Sequence, residues 1–193
     1  KDLYIEGIQN NGIINHYEYI INSEGTIEIR HVLKPEGKMP LWFPRIGLTL
    51  TVSDALDQVK WYGRGPQENY PDRKTGYPTG IYASTVQAMY EPYLMPQDYG
   101  LRTDVRWLQL TTDKGIGLQF KMNEWFNFNI YPYSTDNLTK AMYTYQLQKQ
   151  KGMTLNLDYA TTGVGCTARG VFGAYKAMPQ EYRRTISIRP MMK

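Results

Sequence analysis

The stretch Thr26-Ile27-Glu28-Ile29-Arg30-His31-Val32-Leu33 decides the fold class of this chain. Its apolar residues Ile27, Ile29 and Leu33 alternate with polar ones, so the pattern has a period of two. That period is typical of a β-strand with one buried face, whereas a helix repeats at about 3.6 residues. The stretch therefore predicts a β-strand that carries His31 on its apolar face.

The same alternation extends outward from this stretch. On its N-terminal side the run Ile13–Ile21 also alternates, and Asn22-Ser23-Glu24-Gly25 between the two runs has the composition of a hairpin turn. Further alternation marks Trp42–Val52, Val59–Trp61, Arg102–Leu110, Ile116–Phe120, Phe126–Ile130, Tyr143–Leu147, Met153–Tyr159 and Tyr182–Ile188. Pro44 interrupts the first of these segments, which predicts an edge strand or a bulge there.

Helical periodicity is absent by comparison. No window of a dozen residues keeps a 3.6 period, although Ser134 could cap one helical turn that reaches Leu138. Some ten short strands separated by turns predict an all-β chain. We expect a large antiparallel β-sandwich in which residues 1–193 form one domain.

Composition and charge narrow the range of function classes. The net charge is +4 over 193 residues, and the basic side chains are scattered among acidic ones, which disfavours a nucleic-acid-binding surface. No apolar run approaches the roughly 20 residues of a membrane span. The single Cys166 excludes an intrachain disulfide, and His16 and His31 lack the spacing of metal ligands. We expect no metal in this chain and no nucleic-acid or membrane partner.

The loop Gly63–Arg73 concentrates acidic, basic and aromatic side chains between two predicted strands. Glu68 and Asp72 could form a glycosidase pair, with carboxylates about 5 Å apart in a retaining enzyme and farther apart in an inverting one. The alternative is that both carboxylates hold the loop. They would accept backbone N–H bonds or pair with one of the nearby arginines, which are Arg64, Arg73, Arg102 and Arg106. Arginine lowers a carboxyl pKa whereas a general acid needs a raised one, so the structural interpretation is favoured.

A second candidate segment is Gly163-Val164-Gly165-Cys166-Thr167-Ala168-Arg169-Gly170. It lacks the Lys-Ser/Thr that completes a phosphate-binding loop, so its glycines favour a close approach to another surface. The segment is either the edge of a binding site, with Arg169, Phe172 and Tyr175 as contact residues, or a flexible connection between strands.

The stretch Trp61–Arg73 resembles the signature of the C-terminal, small-chain region (the fifth domain) of β-galactosidases of glycoside hydrolase family 2. Further similar segments follow in the family's order, namely Pro44–Leu48, Tyr93–Arg102, Phe126–Ile130, Tyr133-Ser134 with Leu138, and Thr162–Gly165. The resemblance covers the chain from about Tyr17 to its C-terminus. Its structural signature positions are Gly65, Pro66, Glu68, Asn69, Tyr70, Asp72 and Arg73.

The resemblance implies a galactose-mutarotase-like supersandwich that is part of a larger enzyme acting on terminal β-D-galactosides such as lactose. The N-terminus, Lys1–Glu6, has no signal-peptide core and is typical of the interior of a longer chain. The family's domain has additional strands before the point where this chain starts, so the resemblance implies an N-terminally truncated sandwich. Exposed edge strands would then favour a homo-oligomer. The natural glycoside and the cellular compartment stay open.

The family's two catalytic glutamates lie in a separate TIM barrel, so the resemblance assigns no catalytic residue to this chain, and the isolated chain should be inactive. The Mg²⁺ and monovalent cation that many members use also belong to other domains. In some members a tryptophan after the Gly-Val/Ile-Gly element stacks on the sugar, and Gly170 stands at that position here. The substrate rim would then consist of Arg169, Gly170, Phe172 and Tyr175, with Phe172 or Tyr175 in place of the tryptophan.

Three hypotheses follow from these observations. The first is an accessory domain that packs on the barrel and shapes the active-site rim of a β-galactosidase. The second is a stand-alone carbohydrate-binding or mutarotase-like module that uses a tyrosine-rich face, since the chain contains 17 tyrosines. The third is a purely structural oligomerisation domain.

Overall fold

The computed structural model describes residues 2–6, 12–166 and 169–192. Within these ranges the chain forms antiparallel strands with very little helix. The strands are β1 (Asp2–Glu6), β2 (Gly12–Ile21), β3 (Ile27–Glu36), β4 (Arg45–Val52), β5 (Gln58–Arg64), β6 (Thr79–Thr85), β7 (Arg102–Thr111), β8 (Gly117–Tyr131), β9 (Met153–Thr161) and β10 (Tyr182–Met191). The helical elements are α1 (Thr135–Lys140) and 3-10 turns at Thr144–Gln146 and Gly173–Tyr175.

The strands form a branched sheet that folds over on itself. Its main path runs β1-β2-β3-β10-β8-β7-β5-β6. The first half of β8 pairs with β10, whereas its second half pairs with β9, which in turn pairs with β4. The β9 side chain Tyr159 reaches His31 on β3, so the β4–β9 branch lies over the main sheet. The predicted all-β sandwich is confirmed.

The core lies between these layers and contains most of the alternating apolar residues. Trp61, Leu108 and Phe128 are fully buried, and the same cluster includes Ile29 on β3 and Ile186 on β10. In a smaller cluster, Leu138 of α1 packs with Tyr99 and Tyr131. Because most residues of the main cluster come from the apolar faces of strands, the period-two pattern accounts for most of the packing.

Strand β9 is buried on both faces, and this property creates the base of the site described below. Its apolar face, with Leu155 and Leu157, enters the core. Its polar face carries Thr154, Asn156 and Asp158, which are also buried. Buried polar side chains require partners, and all three make hydrogen bonds to neighbouring strands or loops.

Local capping and turn predictions are confirmed. Ser134 accepts a hydrogen bond from the N–H of Asn137 at 3.0 Å and starts α1. In the β2–β3 turn, Asn22 accepts two backbone N–H bonds through its side chain, and Gly25 has a φ of +77°. A positive φ favours glycine because it has no Cβ. No helix in the described ranges is long and apolar enough to cross a membrane.

One strand assignment from sequence was wrong. The run Tyr143–Leu147 is a 3-10 turn and not a strand, because the Gln146 side chain accepts the N–H groups of Met142 and Tyr143. These local bonds replace strand pairing, and Tyr143 and Tyr145 stack on each other at the surface.

Sequence patterning also missed the continuity of β8 and the existence of β6. Ile116–Phe120 and Phe126–Ile130 belong to one region, since β8 continues without interruption from Gly117 to Tyr131. Strand β6 lies at the edge of the sheet and exposes Ile81. Its sequence therefore lacks the regular pattern of buried apolar residues that marks the other strands. Pro44 immediately precedes β4. Among the described strands β4 pairs only with β9, so it is an edge strand, as predicted.

His31 is a satisfied core histidine, as expected. Its side chain is buried, with Nδ1 2.7 Å from the Tyr159 hydroxyl and Nε2 3.0 Å from Asn15 Oδ1. The ring also stacks on Tyr17, with 4.1 Å between centroids. Burial lowers the pKa of His31 to about 4.

This lowered pKa predicts a specific loss of stability in acid. Between about pH 6.5 and pH 4 the unfolded chain binds a proton at His31 that the folded chain does not, so the contribution present above pH 6.5 is lost as pH falls. The loss should be about 3 kcal/mol in urea unfolding measured from pH 7.5 to pH 4. His31→Gln should flatten this dependence, whereas the exposed control His16→Gln should retain it. Equal slopes for His31→Gln and the unmodified chain would contradict this assignment.

Candidate functional site

The loop after β5 is organised around the buried carboxylate of Glu68. The Glu68 side chain accepts hydrogen bonds from the Tyr70 hydroxyl at 3.1 Å, from the Gly100 N–H at 2.9 Å, and from the Tyr93 hydroxyl. Arg73 adds an ion pair at 3.1 Å. These partners stabilise the carboxylate as an acceptor.

The tyrosines around Glu68 are held in their neutral form. Burial, followed by the negative charge of Glu68, raises the pKa of Tyr70 above its usual range. Burial and the hydrogen bond to Glu68 raise the pKa of Tyr93 to about 12. Both phenols therefore act as hydrogen-bond donors at neutral pH.

The same loop is held on its buried side by Asn69, Trp61 and Arg102. Asn69 is fully buried, donates its backbone N–H to the Leu101 carbonyl, and accepts from the N–H of Thr103 through its side chain. Arg102 donates to the carbonyl oxygens of Pro66 and Gly100, and its guanidinium lies 5.5 Å from the Trp61 ring. Burial lowers the pKa of Arg102 to about 10, which still leaves the side chain charged at neutral pH.

Four arginines were proposed as partners of the two carboxylates. Arg73 contacts Glu68, whereas the described contacts of the other three are with other groups. Arg64 pairs with Asp104 at 2.6 Å. Arg106 lies between the rings of Tyr62 and Trp125, at 4.8 and 4.2 Å from their centroids. The structural interpretation expected a pairing with one of these arginines, and Arg73 provides it for Glu68.

Asp72 joins the loop to the glycine-rich segment, 92 residues away in sequence. Its two carboxylate oxygens accept the N–H groups of Val164 at 3.1 Å and Gly165 at 2.7 Å. Gly163 permits this approach, because a Cβ at that position would lie only 2.3 Å from Asp72 Cγ. The two segments singled out from sequence thus form one structure, which we call the Asp72 clamp.

Removing the clamp should release the segment locally. In Asp72→Ala the amide protons of Val164 and Gly165 should exchange with solvent about 10- to 100-fold faster, because two charge-assisted hydrogen bonds are lost. Amide hydrogen exchange followed by NMR measures this directly. Asp113→Ala, in the exposed β7–β8 turn, is the matched control and should leave both amides unchanged. Unchanged exchange in Asp72→Ala would show that other contacts hold the segment.

A cleft of about 780 Å³ lies where these segments meet. Tyr70 and Arg73 line one side, Tyr93 and the following loop line a second, and the Val164–Cys166 segment lines a third. This volume is in the range of small-molecule sites. The arrangement places phenol, guanidinium and backbone groups around a space that a hydroxylated ligand or another protein surface could occupy.

Charged side chains form the base of this cleft. Arg45 pairs with the buried Asp158 at 2.9 Å and with the more exposed Asp98 at 3.4 Å. Asn129 and Tyr131 each bond to the same Asp98 oxygen and connect it to β8. Burial raises the pKa of Asp158 and the Arg45 guanidinium opposes that rise, while the two acids keep Arg45 charged. The base is therefore a network of one guanidinium and two carboxylates that fixes the geometry of the cleft.

Glu68 and Asp72 bind separate partners in this arrangement, as the structural interpretation expects. Glu68 faces tyrosines, Arg73 and a backbone amide, whereas Asp72 faces the amides of Val164 and Gly165. Within the described part of the chain, no group of three or more His, Cys, Asp or Glu side chains could hold a metal ion.

Comparison with known proteins shows which family this chain belongs to. The family model described as "Beta galactosidase small chain" matches residues 5–188. The chain belongs to the β-galactosidase small-chain family.

Curated relatives of this small chain are much longer proteins. It is 38% identical over 147 residues to a β-galactosidase of Priestia megaterium, a match that covers 76% of this chain and 14% of that protein. It is 39% identical over 122 residues to that of Vibrio cholerae, covering 63% and 11%, and 33% identical over 159 residues to that of Pseudoalteromonas haloplanktis, covering 80% and 14%. The chain therefore spans about one seventh or less of the length of these relatives.

The residues predicted for the substrate rim follow the Asp72 clamp in the sequence. The backbone of Arg169 exchanges two hydrogen bonds with that of Cys166, and the Tyr175 carbonyl accepts the Gly163 N–H at 2.9 Å. Phe172 and Tyr175 are exposed. A Cβ at Gly170 would meet no atom within 4 Å, so open space surrounds this position. Thr167 and Ala168 of the same segment lie outside the described residues.

Sequence reasoning missed the base of the cleft. Arg45 and Asp98 entered only as members of similar segments, and Asp158 only as a member of a predicted strand. The available signal was the polar face of β9, which alternates with its apolar residues in Met153–Tyr159. A polar face usually contacts water, and only the fold shows that this one is covered.

Proposed function

We propose that this chain is the C-terminal domain of a β-galactosidase that hydrolyses terminal non-reducing β-D-galactosides such as lactose. In this proposal the chain packs on the remaining domains, especially the TIM barrel, and forms part of the active-site rim. The catalytic glutamates, together with any Mg²⁺ and monovalent cation, would belong to those other domains. The β-sandwich would be a galactose-mutarotase-like supersandwich.

The Asp72 clamp is the observation that carries this proposal. It attaches the start of the glycine-rich segment to the rigid loop around Glu68 and leaves Phe172 and Tyr175 exposed beyond it. An exposed segment with a fixed base suits a contribution to a site that another domain completes. The family relationship and the small share of each relative support the same arrangement.

Gly170 sets a limit on how the rim could contact sugar. A glycine cannot supply an aromatic face, so any stacking on substrate would come from Phe172 or Tyr175. Phe172 is the better candidate because it is 65% exposed, against 40% for Tyr175.

A turnover assay on the purified chain tests where the catalytic groups lie. With o-nitrophenyl β-D-galactoside we expect no release of nitrophenol above the buffer rate, for both the unmodified chain and Glu68→Gln. Turnover by the unmodified chain that disappears in Glu68→Gln would overturn the proposal, because it would place a catalytic carboxylate inside this chain.

A further inference from the structure

Three aromatic side chains surround Arg106 on the outer face of the sheet. The Arg106 guanidinium lies 4.8 Å from the centre of the Tyr62 ring and 4.2 Å from that of the Trp125 ring. The Tyr62 ring in turn lies 6.4 Å from the ring of Trp107. We call these four residues the Arg106 cluster. None of them lines the cleft, so the cluster is separate from the candidate site.

An irregularity in the pairing of β7 with β8 places the cluster on the outside. The register shifts on either side of Val105, and Arg106 alone stands opposite Met122–Trp125. Val105 and Leu108 are fully buried, whereas Arg106 and Trp107 between them are both partly exposed. Consecutive residues of a regular strand point to opposite faces, so these two share the outer face because of the bulge.

Most of the N–H groups of Arg106 are available to a ligand. A guanidinium has five N–H donors, and the bond from Arg106 Nη1 to the Asp104 carbonyl, at 2.7 Å, is its only hydrogen bond among the described residues. The other nitrogens are accessible to solvent, because none of them is among the buried side-chain atoms that lack a partner. A ligand atom can therefore reach them.

No neighbouring acid balances the positive charge of Arg106. The acids of strands β5–β8 are Asp104 and Glu124. Each of them already pairs with other basic side chains, at 2.6 to 2.9 Å. Arg106 itself forms no ion pair within the part of the chain that the structure describes. The guanidinium thus lacks the anion that usually accompanies it.

Two lysines extend the positive charge across the same face. Lys60 alternates with the buried Val59 and Trp61 on β5, and Lys121 lies opposite Trp107 in the cross-strand register. Both lysines are exposed, and neither forms an ion pair within residues 2–6, 12–166 and 169–192. A second copy of the chain would bring like charges together here, so it is disfavoured as the occupant of this face.

The composition of the face matches a protein partner that carries carboxylates. Ile81 pairs with Tyr62 across β5 and β6 and is 62% exposed, so apolar surface adjoins the cluster. Tryptophan, tyrosine and arginine are the residues most enriched at the energetic centres of protein interfaces. An arginine guanidinium also binds a carboxylate through two parallel N–H bonds, and aromatic stacking orients it for this contact.

We propose that the outer face of β5–β8 binds an acidic segment of a partner polypeptide, with one carboxylate of that segment on the Arg106 guanidinium beside Tyr62 and Trp125. Lys60 and Lys121 would attract further carboxylates of the same segment. The proposal does not rest on the β-galactosidase assignment, because neither the cleft nor the predicted substrate rim takes part in it.

An NMR titration of the isotope-labelled, purified chain tests this surface. The probe is a short peptide of alternating glutamate and alanine, and its uncharged counterpart alternates glutamine and alanine at the same ionic strength. The indole N–H signals of Trp107 and Trp125 should shift saturably with the acidic peptide and stay in place with the uncharged one. The absence of a saturable shift would overturn the proposal.

Substitutions at Arg106 separate specific recognition from general attraction of charge. Arg106→Gln should weaken peptide binding about tenfold, because charge-assisted hydrogen bonds are lost. Arg106→Lys should also weaken it, since lysine keeps the charge but lacks the planar pair of donors. Arg30→Gln is the matched control. It removes the same charge from exposed β3, where Arg30 already pairs with Glu18 and Glu28, so binding should stay unchanged.

A further variant and melting curves separate lost binding from lost folding. Trp125→Ala removes one of the rings that hold the guanidinium and should weaken binding, while its melting temperature should stay close to that of the unmodified chain. Equal weakening by Arg106→Gln and Arg30→Gln would overturn the proposal. So would indole shifts that follow protein concentration without peptide, which would assign the face to a second copy. The turnover assay is independent of these results.

Discussion

Replacing Glu68 with alanine is expected to lower the free energy of unfolding by about 3 kcal/mol. The side chain is 9% exposed and accepts bonds from Tyr70, Tyr93 and the Gly100 amide. Alanine would leave these donors without their common acceptor inside the protein. Arg73 adds little to the loss because its side chain is 53% exposed and can be rehydrated.

Urea unfolding followed by tryptophan fluorescence at pH 7 measures this effect. Glu24→Ala is the matched control, since Glu24 is exposed in the β2–β3 turn and its removal should change stability by less than about 0.5 kcal/mol. A loss below about 1 kcal/mol for Glu68→Ala would mean that the loop does not depend on this carboxylate.

The largest loss of packing should follow from Trp61→Ala, at about 3–5 kcal/mol. Trp61 has no exposed surface, and its ring contacts Phe128 edge-on at 5.9 Å and Tyr82 at 5.5 Å. Its indole N–H donates to the Arg64 carbonyl at 3.0 Å, which connects the core to the start of the signature loop. Alanine would leave a cavity that rigid strands on both sides cannot close.

Two variants locate the source of this loss. Trp61→Phe keeps most of the volume but removes the indole N–H, so it should cost about 1–3 kcal/mol. Trp125→Ala should cost less than about 1 kcal/mol, because Trp125 is 59% exposed and contacts Arg106 at the surface. Similar losses for Trp61→Ala and Trp125→Ala, measured by the same urea unfolding, would contradict the placement of Trp61 in the core.

Strand positions were largely predictable because alternation reports which face of a strand is buried. The hairpin at Asn22–Gly25, the helix cap at Ser134 and the apolar face of β9 all followed from local chemistry. Prediction failed at Tyr143–Leu147, where side-chain bonds from Gln146 satisfy the backbone without a strand partner. Alternation cannot distinguish these two ways of satisfying backbone groups.

The candidate site was harder to predict because its contacts are long-range. Both segments were identified, yet the bond between Asp72 and the Val164 amide spans 92 residues and carries no local signal. The pairing of Arg45 with Asp158 likewise depends on the register of β4 against β9. Side-chain chemistry selected the residues, while the branch of the sheet at β8 determined which of them meet.

A segment replacement in a relative tests the central proposal most directly. The matching segment of the Priestia megaterium β-galactosidase would be deleted, or replaced by this chain, and hydrolysis of o-nitrophenyl β-D-galactoside would be compared after both proteins are checked for solubility and size. We expect the deletion to be inactive and the replacement to hydrolyse the galactoside, with a lower kcat/KM for Asp72→Ala than for the Asp113→Ala control. A soluble replacement with no more activity than the deletion would contradict the proposal and would favour a stand-alone carbohydrate-binding module.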